Sequence, residues 1–493
     1  MKNSLLLIAA TLTVAGCATS LRRPSGQPSS PYVADGNPQQ TFPLPEAPVF
    51  QAQEPIALGL RAEFERVHKA NQGGNWTGEE RTDAIYWSSG LMVESLKVER
   101  LIPVRVRARG MSSASDQDFP KLRVEIAETE KLADTAFKGA RNFRINTHVS
   151  TEPQTSHTGM GRLNDERAPY REAMGFEIAR AMGLPTPAFR RARIAYDDAG
   201  SKKRFVREAL LIETDKKTAE RFGAKVLSAE EFLSSEGPSR IKTRLAANFF
   251  MFQALIGNDD TGLRFKNEST MATEFYRPLF NTTVFQLPSG EQFPLVYDLD
   301  MSQLMTNQKI APNLAQTMPA MGVTDGEVGK KLLTLAKLRS RLSSDEFEQA
   351  YQDLLTREPA IRDAIARAIT DDEGRANASH QIEVLKKANL QLYQMPMIGK
   401  TGVRFFAEPA LKTDLLRRLP ASEEPGFLPP GYPIKVLEND GKIAKIAIAD
   451  YSFYLKDFRK SVGYVKSSDL EQVTHDLPEE LQGHTDERDM AGG

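Results

Sequence analysis

The sequence predicts an α+β chain in which strands come first, helices next and a small β-rich module last. Three observations predict it. Leu101–Arg109 (LIPVRVRAR) alternates apolar and basic residues, the period-two pattern of a strand with one wet face. Ile241–Gly257 (IKTRLAANFFMFQALIG) is apolar on nearly every side, as a buried helix must be. Gly402–Leu470 breaks into short strands punctuated by Gly and Pro, the pattern of a small β-barrel. At 493 residues the chain is too long for one ordinary domain.

The elements follow in order. Lys2 gives a positive start, Leu5–Val14 is an uncharged apolar run, and Val14-Ala15-Gly16-Cys17 places small residues before a cysteine. A bilayer span needs about 20 apolar residues, so this run is too short for a mature transmembrane helix and reads as a signal peptide over residues 1–16. Cys17 is the sole cysteine, which excludes an intramolecular disulfide. The four residues resemble a bacterial lipobox. That resemblance implies a diacyl thioether on Cys17, an acylated amino terminus and attachment to a membrane in the cell envelope. Ala18, where an Asp would signal inner-membrane retention, implies the outer membrane, facing the periplasm or the cell surface. Residues 17–55 are rich in Pro, Ser, Gln and Gly and predict a disordered tether.

Residues 56–228 form the strand-rich segment. Leu122–Ile126 reads as the partner of the Leu101–Arg109 strand. Tyr170–Met182 has a helical period that Gly183 and Pro185 stop. Phe189–Tyr196 and Phe205–Ile212 read as strands joined by a DDAGSKK turn. Residues 229–396 form the helical segment. Its buried helix runs into Asn258-Asp259-Asp260, Thr283–Leu287 and Phe293–Leu299 read as a hairpin around Pro288-Ser289-Gly290, and Lys331–Leu392 carries two or three amphipathic helices. Residues 397–472 are the small β-barrel, and 473–493 a polar, frayed tail.

Composition excludes several function classes. With 64 basic and 65 acidic residues and no long like-charge block, nucleic-acid binding has no electrostatic support. The six histidines include no His-x-x-x-His pair, so a zinc protease is excluded. Gly110-Met111-Ser112-Ser113-Ala114 lacks the final glycine of a nucleophile elbow. Arg105, Arg107 and Arg109 share one strand face. Exposed alternation is the usual fate of such charges, so a solvated face is expected rather than an anion clamp.

The residues that could carry chemistry are two acidic clusters, Asn258-Asp259-Asp260 and Tyr297-Asp298-Leu299-Asp300, each directly after an apolar element. Carboxylates where the chain leaves the core suit a hard cation such as Mg²⁺, and one could accept a proton from a hydroxyl nucleophile. Acidic residues at element ends are also ordinary caps and turn formers, so spacing alone leaves both readings open.

Five pieces in order across Ile102–Ser302 resemble the CotH-type atypical kinases, named after a spore-coat kinase, and are nearest to their proteobacterial relatives. IPVRVRARGMSS with DFPKLRVEI resembles the family's Arg-Gly strand pair. YREAMGFEIARAMGLPTP resembles its first-lobe helix, and FVREALLIETDKKTAERFG its strand ending in a glutamate. FFMFQALIGNDD resembles the helix leading into a Gly-Asn-x-Asp motif, and PLVYDLDMS the Asp-x-Asp motif. The resemblance implies a two-lobed, protein-kinase-like domain, with a mixed β lobe over 56–228 and a helical lobe over 229–396. It implies Mg²⁺ and ATP as cofactors. Asp260 would be the catalytic Asp. Asn267, Asp298 and Asp300 would hold the metal. Lys121 would reach the nucleotide phosphates, paired with Glu172 or Glu213. Gly402-Val403-Arg404, PPGYPIKVLENDGKIAKI and VGYVKSSDL resemble bacterial SH3-like domains, which implies contact with peptidoglycan or an envelope protein. Two functions follow as expectations: phosphoryl transfer from ATP to a hydroxyl acceptor, or a non-catalytic envelope binding platform on the same fold.

Overall fold

The structure is a computed structural model. It describes residues 32–37, 41–72, 87–94, 100–110, 117–147, 156–158, 161–234, 240–258, 261–263, 265, 279–307, 326–339, 341–368, 370–393, 395, 397–398, 402–412, 427–428, 432, 434–448 and 462–471. The α+β class holds: the chain combines a closed seven-stranded β-barrel with helices. It divides into two compact units. The first comprises Met1–Ser228, Thr282–Met301 and Asp363–Arg375; the second comprises Ala229–Asn281, Ser302–Arg362 and Ala376–Gly493. A division at 228/229 was expected. The return of Thr282–Met301 and Asp363–Arg375 to the first unit was not, because long-range pairing leaves no local mark on composition.

The barrel strands are β1 (Ile56–Ala62), β2 (Ser88–Glu94), β3 (Ile102–Ala108), β4 (Leu122–Ile126), β5 (Asn142–Asn146), β6 (Phe189–Asp198) and β7 (Arg204–Glu213). They pair antiparallel in the order β1-β2-β3-β4-β5-β7-β6, and β6 closes the ring by running parallel to β1. Alternation explains the interior. Val104, Val106, Leu122, Val124, Phe143 and Ile145 point into one core, while Arg105, Arg123 and Arg144 point outward. Closure leaves this sheet no edge at which another chain could pair. At the β6–β7 turn the Asp198 carboxylate accepts from Gly200 N at 2.9 Å and Ser201 Oγ at 3.0 Å, the usual Asx-turn chemistry.

Residues 17–55 were expected to be a disordered tether, and the described part of that segment is packed instead. Tyr32 sits edge-on against Phe222 and Phe293 at 4.9 and 4.8 Å, a short 3-10 helix spans Pro48–Phe50, and Val49 and Phe50 join the barrel core. Proline and polar residues dominate the local composition, but these few aromatic and aliphatic side chains hold buried positions. The signal peptide, Cys17 and the tail over 473–493 lie outside the described residues.

The helix Ala168–Ala181 is buried along most of its length. Pro169 supplies a preset first-turn φ, and Gly183 ends it at φ +74°. Beside it, Thr283–Gln286 and Gln292–Leu295 form the expected hairpin, joined by Lys225–Val226 as a third strand. The hairpin was expected to continue to Leu299. It stops at Leu295, and Val296 N instead bonds Pro185 O at 3.2 Å.

In the second unit the helix Thr243–Ile256 is buried from Leu245 onward and ends at Gly257, at φ +63°. Lys331, buried on the helix Gly326–Arg339, donates to Ala254 O and Leu255 O at 2.9 and 2.8 Å and so caps the last turn. The C-terminal strands surround one core that includes Phe405, Tyr432, Ile434, Ile446 and Val465. Among the described residues they form one three-stranded sheet (Ile434–Asn439, Ile443–Ile448, Val462–Lys466) and two-stranded ladders, and Phe406 bridges to Tyr464 of the sheet. The connections over 413–426 and 449–461 lie outside the described residues. Among the described residues no helix is long and apolar enough to cross a membrane.

Gly257 carries a testable consequence. A Cβ there would overlap the Gln303 side chain and sit in the left-handed region. Gly257→Ala is expected to destabilise by about 2–4 kcal/mol, from left-handed strain plus overpacking. The urea midpoint followed by far-ultraviolet circular dichroism measures it; an unchanged midpoint refutes the close approach.

Candidate functional site

The first unit brings three of the residues singled out by sequence onto one cluster. Lys121 lies one residue before β4 and is 5% exposed. Its backbone oxygen accepts from Arg109 N at 2.8 Å, which fixes it at the end of the β3–β4 ladder. Its Nζ donates to Asp298 Oδ1 at 3.1 Å and to Asp300 Oδ2 at 2.8 Å. The two aspartates reach one ammonium because Leu299 between them is buried and they flank it. Asp298 adopts φ +49°, a conformation that Asp tolerates better than most residues.

Arg162, 7% exposed at its side chain, donates Nε to the same Asp300 oxygen at 2.9 Å. Behind Lys121, Asn146 on β5 donates to Glu172 on the helix Ala168–Ala181, and the Asn146 oxygen accepts from Arg109. Arg109 also approaches the Tyr297 hydroxyl at 3.4 Å, and Arg144 lies over the Tyr297 ring at 5.3 Å.

The electrostatics follow from this packing. Burial alone would lower the Lys121 pKa, but Asp298, Asp300 and Glu172 outweigh it and hold the ammonium well above the usual lysine range. Burial would likewise raise Asp300, yet Lys121 and Arg162 push its carboxyl well below the usual carboxylate range. Glu172 moves the other way. Burial raises it, and Lys121 and Asn146 only partly offset that.

Of the two acidic candidates for the lysine, Glu172 therefore lies in its electrostatic neighbourhood. Glu213 is engaged elsewhere. It accepts from Ala188 N at 3.1 Å, Thr218 Oγ1 at 3.0 Å and Arg221 at 3.0 Å, tying the end of β7 to the helix Asp215–Phe222. Asp260 and Asn267 lie outside the described residues. Asn258 beside them is buried and donates to Gln253 Oε1 at 2.8 Å, a helix-end role.

The expectation of a solvated arginine face holds unevenly. Arg105 is exposed and pairs with Glu125 at 2.6 Å, and Arg107 lies over Trp87 at 5.1 Å. Arg109 departs from it: β3 ends at Ala108, so the alternation no longer governs Arg109, and it turns toward Asn146 and Tyr297. Sequence reasoning missed Arg162 and Asn146 as well, since neither lies in a recognisable motif.

Carboxylate oxygens are the right donors for Mg²⁺, which needs one or two of them besides water and substrate phosphates. Asp298, 29% exposed at its side chain, fits that role. Asp300 is held by two cations already. Among the described residues no group of three or more His, Cys, Asp or Glu could hold a metal by itself. No protein-family model matches the chain, and no curated protein matches it.

Removing one member of a buried ion cluster strands the others, at a cost of about 3–5 kcal/mol. Lys121→Met is expected to destabilise by that order in chemical denaturation. Asp300 also makes a pH prediction. Its folded pKa is depressed, so its stabilising contribution is complete above the unfolded value of about 3.9 and is lost as pH falls through the lower folded value. The stability gap between wild type and Asp300→Asn should be full at neutral pH and shrink below about pH 4. A gap that stays constant with pH contradicts the ion pairs.

Proposed function

We propose that the chain is a lipid-anchored cell-envelope protein in which residues 56–396 adopt a CotH-like, two-lobed kinase fold that transfers a phosphoryl group from ATP to a hydroxyl acceptor. The observation that carries the reading is Lys121 bound to both carboxylates of Asp298-Leu299-Asp300, with Glu172 on a neighbouring helix in its field. A lysine, a helix glutamate and an Asp-x-Asp motif are the parts a nucleotide phosphate site requires, and they come from strand, helix and loop far apart in sequence.

In this reading Lys121 exchanges a carboxylate for a nucleotide phosphate oxygen, and Glu172 keeps the ammonium oriented. Arg162 holds Asp300 in place. Asp298, with Asp300 and Asn267, would hold Mg²⁺, which when bound neutralises charge on the phosphate oxygens. Asp260 would take the proton of the acceptor hydroxyl. The SH3-like C-terminal module would contact peptidoglycan or an envelope protein, and the lipid on Cys17 would keep the protein at the outer membrane.

The second reading is a non-catalytic binding platform. One observation favours it: Asp300 is matched by Lys121 and Arg162 together, so the cluster is electrostatically complete without a ligand.

Melting of the full chain in detergent, followed by intrinsic fluorescence, separates the two. A ligand that binds only the native state raises the melting temperature. ATP with Mg²⁺ is expected to raise it for wild type and not for Asp298→Ala; no shift at saturating nucleotide sinks the phosphoryl-transfer reading. Labelled palmitate is expected to enter wild type and not Cys17→Ala, which should leave the membrane fraction. Equal labelling of both removes the lipid anchor from the proposal.

A further inference from the structure

The outer face of the barrel carries a second charged feature, distinct from the Lys121 cluster. A cleft of about 610 Å³ opens over β4, β5 and the first turn of the helix Asp215–Phe222. Five cationic side chains line it: Arg123, Arg141, Arg144, Lys216 and Lys217. The alternation that sends Val124 and Phe143 into the core is what sends Arg123 and Arg144 out to this cleft.

The register makes that pair unusual, because Arg123 and Arg144 stand directly opposite each other on neighbouring strands. Like charges in directly opposed positions destabilise a sheet, and the acids beside them answer only part of that cost: Arg123 has Glu125 at 3.5 Å, which it shares with Arg105, and Arg144 has Asp215.

The carboxylates at the cleft do not cancel its cations. Glu128 pairs with Arg141 at 3.2 Å and Glu220 with Lys217 at 2.6 Å, both at the exposed rim where such pairs are weak. Asp215 pairs with Arg144 at 2.5 Å through one guanidinium nitrogen, and Arg144 Nη1 finds no hydrogen-bond partner among the described residues. Arg144 is also held rigid, with Tyr297 stacked against it. A guanidinium fixed in this way is ready for planar recognition of an oxyanion. The volume falls in the range of small-molecule sites and leaves room for an oxyanion that carries a substituent.

We propose that this cleft binds a phosphate ester, its phosphate between Arg123 and Arg144 with Lys216 at the mouth. The ester is either a soluble phosphorylated compound or a lipid headgroup; both present the same tetrahedral dianion.

The test uses the full chain in detergent and two probes, glycerol 3-phosphate and a short-chain phosphatidic acid, against sodium chloride of equal ionic strength. Affinity is read by calorimetry for wild type, for Arg123→Gln with Lys216→Gln, and for Asp298→Ala. Lys216 is exposed, so Lys216→Gln alone serves if the double variant does not fold. Binding of either probe weakened about tenfold or more in the cleft variants, and retained in Asp298→Ala, is the expected result. Glycerol 3-phosphate binding identifies a soluble ester, and binding of phosphatidic acid alone identifies a headgroup. No binding of either probe overturns the proposal. So does binding that the cleft variants leave intact, or binding lost in Asp298→Ala alone. The cleft proposal and the ATP reading fail independently, since they rest on different residues.

Discussion

A lysine ammonium at 5% exposure has to be answered by charge, and the first unit is arranged around that requirement at Lys121. Desolvating an ammonium without partners costs several kcal/mol, enough to neutralise it or unfold the region. Asp298 and Asp300 supply the answer from a loop that enters the unit more than 170 residues later in the chain. The hairpin that delivers the loop, the Val296–Pro185 bond that aims it and the Arg162 that holds Asp300 all serve one geometry. Segments 282–301 therefore belong with the barrel rather than with the helices that flank them in sequence.

Barrel closure provides the rigidity that such a cluster needs. Lys121, Arg109 and Asn146 sit at or beside the ends of β3, β4 and β5, where ladder hydrogen bonds hold the backbone in place. The parallel pairing of β1 with β6 turns an open sheet into a ring and locks these ends relative to one another. The same alternation has two outcomes. Inward residues make the core, and outward arginines make the basic face over which the cleft lies.

Much of the candidate site could be read from the sequence because its parts sit in strong local patterns. Asp298 and Asp300 follow the apolar run of a hairpin, and Glu172 lies on a helix bounded by Pro169 and Gly183. Lys121 directly precedes a strand whose alternation is plain. The choice between Glu172 and Glu213 was not legible, since both are acidic residues at the ends or faces of good elements. Packing separates them: Thr218 and Arg221, five and eight residues on, engage Glu213 within its own neighbourhood. Arg162 and Asn146 escaped notice for the opposite reason: Arg162 lies in a segment with no period, and Asn146 ends a five-residue strand that no motif marks.

The sequence alone determined the α+β class, the positions of β3, β4, β6 and β7, the buried helix and the hairpin, because each depends on local periodicity and on Gly and Pro stops. Tertiary structure decided the closure of the barrel, the packing of residues 32–37 and 41–55 and the membership of the Lys121 cluster. These depend on pairings between residues far apart in the chain, for which local propensity carries no signal. A strand's pattern states which face is buried; it does not state which distant carboxylate will meet the lysine at its start.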